Sequence, residues 1–115
     1  MNIPSDDLLR EARQLLLTRG AELRDRVQRV RLDLGRQREP LPRDSNEAAI
    51  VIENDEILQA IEKSAIGELG LIDNALRRLD EGTFALCERC GGEIEQDRLE
   101  AVPYASLCRS CAWKS

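Results

Sequence analysis

Four cysteines stand in two pairs, CERC at Cys87 and Cys90 and CRSC at Cys108 and Cys111, with seventeen residues between the pairs. Thiolates are soft ligands, and two CxxC pairs at this separation are a strong zinc signal. Each CxxC lets one tight turn present two sulfurs to one ion. Gly91 and Gly92 follow the first pair, where a residue free to adopt positive φ suits the turn. Two disulfides would need an oxidising compartment, and a redox CxxC would need a βαβ setting that the chain lacks. The pattern therefore predicts one structural zinc on Cys87, Cys90, Cys108 and Cys111. Four protein ligands leave no open position on the ion, so it builds structure and does no chemistry. The chain has no histidine, and no nucleophile stands beside a base, so a free-standing enzyme is not expected.

A second group of interest is Asp44-Ser45-Asn46-Glu47-Ala48-Ala49. Asp44 as N-cap with Glu47 three residues on is the pattern of a capping box, and capping alone accounts for both acids. The other reading is that the acids sit at a loop tip in order to reach a partner.

The elements that position these groups are two long helices. Leu9, Ala12, Leu16, Leu23, Val27, Val30 and Leu34 recur at steps of three and four, the seam of a coiled coil. Only Gly20 falls where that seam wants a side chain. Ser5 reads as the N-cap, with Asp6 and Asp7 in a first turn that favours negative charge. Pro40 and Pro42 break the pattern, since each removes a donor and restricts the residue before it; Leu41 between them is expected at the surface. A second helix follows from about Ser45 to Leu79 or Asp80, with Val51, Leu58, Ile61, Ala65, Ile72, Leu76 and Leu79 as its apolar stripe and Gly82 as its C-cap. Two helices of similar length joined by a short loop fold back antiparallel. At ~1.5 Å per residue each arm is roughly 45–50 Å long. Residues 19–43 hold eight arginines against four acids, and residues 44–81 hold ten acids against three bases. Opposite charge on the two arms favours their pairing. The fold class is mostly α: a long antiparallel two-helix coiled-coil hairpin over 1–81, with its tip loop near 35–47, and a small C4 zinc finger of ribbon type over 82–115. Tyr104 and Trp113 are expected to cover the small core of the finger.

Composition narrows the function. The chain has 115 residues and a net charge of −5, which disfavours direct DNA binding. Aromatics make up 3% of the chain, too few for a base-stacking platform. The N-terminus carries early acids and no long apolar run, so neither a signal peptide nor a membrane span is expected. This places the chain in the cytoplasm, where thiols stay reduced.

The finger, CERCGGEIEQDRLEAVPYASLCRSC, resembles the zinc motif of the DksA/TraR family of bacterial transcription factors, including Arg98-Leu99-Glu100-Ala101 and Pro103. The long helical hairpin directly before the finger is similar too. So is the tip, where the family pattern of Asp, two residues, Asp, one residue and Ala meets Asp44, Glu47 and Ala49. The resemblance implies a monomer that binds RNA polymerase and not DNA. It implies that the finger docks at the rim of the secondary channel and that Asp44, Glu47 and Ala49 at the hairpin tip contact the polymerase near its active site. There such proteins change the lifetime of promoter open complexes, often with ppGpp. The chain stops four residues after Cys111, so the C-terminal helix that helps longer members hold ppGpp is expected to be missing. Two other readings compete. Transcript-cleavage factors of the Gre type carry acids on a hairpin tip but lack this finger. A zinc ribbon that binds other proteins and dimerises through the coiled coil would need no tip acids.

Overall fold

The computed structural model describes residues 4–36 and 41–114. Four helices follow in order: α1 (Asp6–Arg36), α2 (Ser45–Glu81), α3 (Gln96–Ala101) and α4 (Arg109–Lys114). Among the described residues there is no strand, only a bridge pairing Leu86 with Glu93. Of the expected tip loop, residues 37–40, Pro40 among them, lie outside the described residues. Leu41 is exposed, as expected.

The helix ends are set locally. Ser5 caps α1: its Oγ accepts from the Leu8 amide at 3.1 Å, and its carbonyl accepts from Leu9. At the end of α2 the Thr83 amide donates to the Arg78 carbonyl at 2.9 Å and the Gly82 amide to Leu79 at 3.4 Å. This is a Schellman ending, and its C′ residue must be left-handed. Gly82 has φ +79, so glycine is the residue that ends this helix without strain.

The described chain packs as two compact units, one built from Met1–Gly20 with Gly70–Ser115, the other from Ala21–Leu69. In the first, α1 and α2 run antiparallel, with Arg13 near the start of α1 bridged to Asp80 near the end of α2 at 2.8 Å. Leu8, Ala12, Leu16, Ile72 and Ala75 from these helices and Phe84, Ile94, Leu99 and Ala105 from the finger are all buried in this unit. Burying a side chain of the size of Leu or Phe contributes roughly 1.5–3 kcal/mol. In the second unit the interior is thinner: Leu23, Val27, Val30 and Ala65 are its buried apolar side chains, and Arg31 bridges to Glu62 at 3.0 Å. Of these two cross-helix ion pairs, Arg31–Glu62 follows the charge split between the arms, and Arg13 stands ahead of the basic stretch. They are exposed, and such pairs contribute about 0–1 kcal/mol each.

Two parts of the expected stripes shift by one residue. Leu8, not Leu9, is buried on α1, because the first turn packs beside the finger and follows steps of four from Leu16 through Ala12. On α2 the inward line runs through Asp55, Leu58, Glu62, Ala65, Leu69 and Ile72, and Ile61 is 38% exposed. The polar interruptions of this inward line are Asp55 and Glu62. Glu62 is tolerated there because Arg31 neutralises it. One carboxylate oxygen of Asp55 is buried without a hydrogen bond.

Candidate metal centre and hairpin tip

The finger begins at the Schellman turn. After it the chain turns through Cys87-Glu88-Arg89-Cys90, and the Gly91 amide donates to the Cys87 carbonyl at 2.9 Å. Gly91 has φ +75, the left-handed geometry that its sequence position called for. Gly92 serves differently: its amide donates to Cys90 Sγ at 3.4 Å, and a Cβ there would sit 3.4 Å from that sulfur. The Cys87 amide closes the turn on the Gly92 carbonyl at 2.7 Å.

The second pair sits at the start of α4. The Glu95 carboxylate accepts from the Arg109 amide at 2.9 Å, and Asp97 pairs with the Arg109 guanidinium at 3.0 Å. These contacts hold both carboxyls below their ordinary range, Glu95 chiefly through the Arg109 amide and Asp97 chiefly through the guanidinium. They fix the turn that carries Cys108 and Cys111 against α3.

The four sulfurs converge. All lie within 4.8 Å of one another, and Cys90 Sγ is 3.8 Å from Cys108 Sγ. A tetrahedron of Zn–S bonds of ~2.3 Å sets its sulfurs about 3.8 Å apart, so the donor set fits one zinc with the sulfurs drawing in by about 1 Å at most. Cys87, Cys108 and Cys111 are buried and Cys90 is exposed. Hydrogen bonds from the Cys90 and Cys108 amides bring the Cys87 thiol down to about 6. A hydrogen bond with Cys108, followed by burial, pushes Cys111 up to about 12. The amides favour the thiolate at Cys87, while the hydrogen bond and burial keep Cys111 protonated. A dication removes that difference, and with it bound all four are thiolates.

Arg78 ties α2 to the finger, a role the helix periodicity gives no reason to expect. Its side chain is 3% exposed. It donates to the Phe84 carbonyl at 3.2 Å and to the Ala105 carbonyl at 3.1 Å. Its guanidinium carbon lies 5.8 Å from the centre of the Phe84 ring. Nε is 3.5 Å from the Glu88 carboxylate, in range for an ion pair but making no hydrogen bond. Burial lowers the Arg78 pKa, and Glu88 opposes that shift. Only a planar guanidinium spans two carbonyls and a carboxylate at once.

The expected cover of the finger core is different. Phe84, Ile94, Leu99 and Ala105 fill it, Tyr104 is half-buried, and Trp113 is 90% exposed. The finger has too little interior for an indole once Phe84 and Arg78 occupy it.

At the other candidate site, Asp44 is the N-cap of α2. Its Oδ1 accepts from the Asn46 amide at 2.8 Å and the Glu47 amide at 3.1 Å, and its carbonyl accepts from Ala48. The reciprocal half of a capping box is absent among the described residues, as no bond runs from the Glu47 carboxylate to Asp44. Asp44, Glu47 and Ala49 are all exposed.

No described helix is long and apolar enough to cross a membrane. Residues 82–114 match the prokaryotic dksA/traR C4-type zinc finger, and residues 13–79 match the DnaK suppressor protein-like N-terminal domain. A protein of Aquifex aeolicus is 33% identical over 109 residues, 92% of this chain and 74% of its own length. The RNA polymerase-binding transcription factor DksA of Escherichia coli is 45% identical over 40 residues, 35% of this chain and 26% of that protein. The structure of transcription factor DksA2 from Pseudomonas aeruginosa superposes with a TM-score of 0.83 at 25% identity, covering 96% of this chain and 84% of that one. The two family matches together take in most of both long helices and all four cysteines, and the chain belongs to the DksA/TraR family of C4 zinc-finger proteins.

Proposed function

We propose that this protein is a cytoplasmic transcription regulator that acts by binding bacterial RNA polymerase, without enzymatic activity of its own. The observation that carries the reading is the likeness to DksA2 over 96% of the chain, finger and both long helices included. The E. coli relative, an RNA polymerase-binding transcription factor, suggests the partner, although the match spans only 26% of that protein. In the proposed mechanism the zinc finger, residues 82–115, holds the hairpin, residues 1–81, at the rim of the secondary channel. The hairpin tip then reaches toward the active site and changes the lifetime of promoter open complexes as a monomer, with ppGpp as a candidate co-effector.

The chemistry of the tip supports this. Asp44 uses one carboxylate oxygen as a cap, which fixes the direction of the group and leaves its charge at the surface. Glu47 and Ala49 extend the same exposed turn. In the Ala21–Leu69 unit Leu32, Ile50, Ile52, Ile57 and Ile66 are 44–58% exposed. That is more apolar surface than a solvated arm needs, and it suits an arm that works against another protein. No observation favours a Gre-type cleavage factor or a dimerising ribbon module.

The test is in vitro transcription with purified polymerase, comparing no factor, wild type and Asp44→Asn, each with and without ppGpp. Asn caps a helix about as well as Asp, so Asp44→Asn should bind polymerase and stay folded yet lose regulation. Equal regulation by Asp44→Asn and wild type would reduce Asp44 to a cap.

A further inference from the structure

Among the described residues, the largest apolar side chain is also the one most fully offered to solvent. Trp113, the sole tryptophan, is 90% exposed. It is also held on a stiff base. It follows the zinc ligand Cys111 by two residues on α4. The Ala112 amide is bonded to the Cys108 carbonyl at 2.9 Å, and the Glu95 carboxylate caps Arg109. A rigid indole loses little conformational freedom when it is buried by a partner, so nearly all of its contact area counts toward binding. Tryptophan is the residue type most enriched among interface anchors.

The surroundings say what kind of partner fits. Arg89 reaches the Cys111 carbonyl at 3.5 Å, so a cation sits against the helix that carries Trp113. Lys114 follows directly and is exposed. Helix α4 itself contains no acid. A matching surface is therefore an apolar pocket with an acidic rim. The net charge of −5 and the absence of any second exposed aromatic among the described residues argue against nucleic acid.

We infer that Trp113 is the anchor by which the zinc finger docks on a protein surface of RNA polymerase, an apolar pocket rimmed by acids. This rests on the proposed function and adds to it a contact that is separate from the tip. Because the chain has one tryptophan, replacing it biosynthetically with 5-hydroxytryptophan puts a single probe at position 113, excitable apart from the polymerase's own tryptophans. Adding polymerase should shift the probe's emission to the blue and protect it from acrylamide. Trp113→Ala should weaken polymerase binding by about 30-fold, the effect of a loss near 2 kcal/mol at ~1.4 kcal/mol per decade. Trp113→Phe should recover part of that. One zinc per chain in each variant shows that the finger is intact. If the factor and polymerase form a complex in which the probe is unchanged and Trp113→Ala binds as wild type does, the inference is wrong and the tip mechanism stands. If the wild-type chain binds no polymerase, the proposed function fails and the anchor with it. A blue shift with duplex DNA or phosphatidylglycerol vesicles, and none with polymerase, would overturn the assignment to a protein surface.

Discussion

Removing the Arg78 guanidinium from α2 should weaken the seat of the finger on that helix. The side chain donates to two buried carbonyls, Phe84 and Ala105, which lie on either side of the first cysteine pair in sequence. Arg78→Ala leaves both without a donor, at about 1–3 kcal/mol each. It also leaves space against Phe84, itself 2% exposed. The total is about 3–5 kcal/mol, against the 5–15 kcal/mol that typically holds a domain together. With a melting response of about 4 °C per kcal/mol for a chain near this size, the midpoint should fall by roughly 12–20 °C. Arg78→Met keeps most of the volume and isolates the hydrogen bonds, so its loss should be smaller but still above about 2 kcal/mol. Arg78→Lys keeps the charge, but a single ammonium does not reproduce the fork, and it should fall between Met and wild type. The assay is thermal unfolding by circular dichroism at saturating zinc, paired with zinc affinity from chelator competition. An Arg78→Ala protein that melts within 2–3 °C of wild type and holds zinc equally would show that the cysteines and Phe84 fasten the finger without it.

Other outcomes follow from the same contacts. Asp44→Ala should destabilise the start of α2 by about 1 kcal/mol while Asp44→Asn stays near neutral; amide exchange at Asn46 and Glu47 reads the difference, and equal protection in the two variants would remove the cap. Chelating the zinc should unfold residues 82–114 and loosen the packing of Phe84 and Leu99 on α1 and α2, since such modules fold with their metal; a far-ultraviolet spectrum and melt unchanged after chelation would contradict this. Acid should release the metal. The Cys87 thiol is depressed to about 6, so its thiolate is favoured above that value and its contribution is lost as pH falls through and below it. Metal binding lowers that value further, so release followed with a colorimetric chelator should have its midpoint below pH 6; a midpoint above pH 7 would refute the assignment.

Much of this protein could be read from residue type and spacing. Cysteine is chosen for its sulfur, and CxxC with Gly91 behind it closes a turn through bonds among near neighbours, so each pair of ligands is legible locally. The same holds for the helix ends at Ser5, Asp44 and Gly82, where the partners are two to five residues away. The two long helices were legible because an apolar period near 3.5 repeats many times. The remainder was settled by packing between distant segments. Leu8 or Leu9, and Ile61 or Glu62, differ by one residue on a helix surface, and only the facing element decides which of them turns inward. Glu62 takes a seam position because Arg31, thirty-one residues away, meets it there. Arg78 looks like one more surface arginine until the finger folds over it and presents two carbonyls. Trp113 has the composition of a core residue and becomes a surface one, because a finger this small fills its interior with Phe84 and closes before the indole arrives. Sequence determined which groups bind zinc and where helices begin and end, since those interactions are local. Tertiary structure alone decided which side chains are buried and which are offered outward, since burial depends on what the rest of the chain brings to the same place.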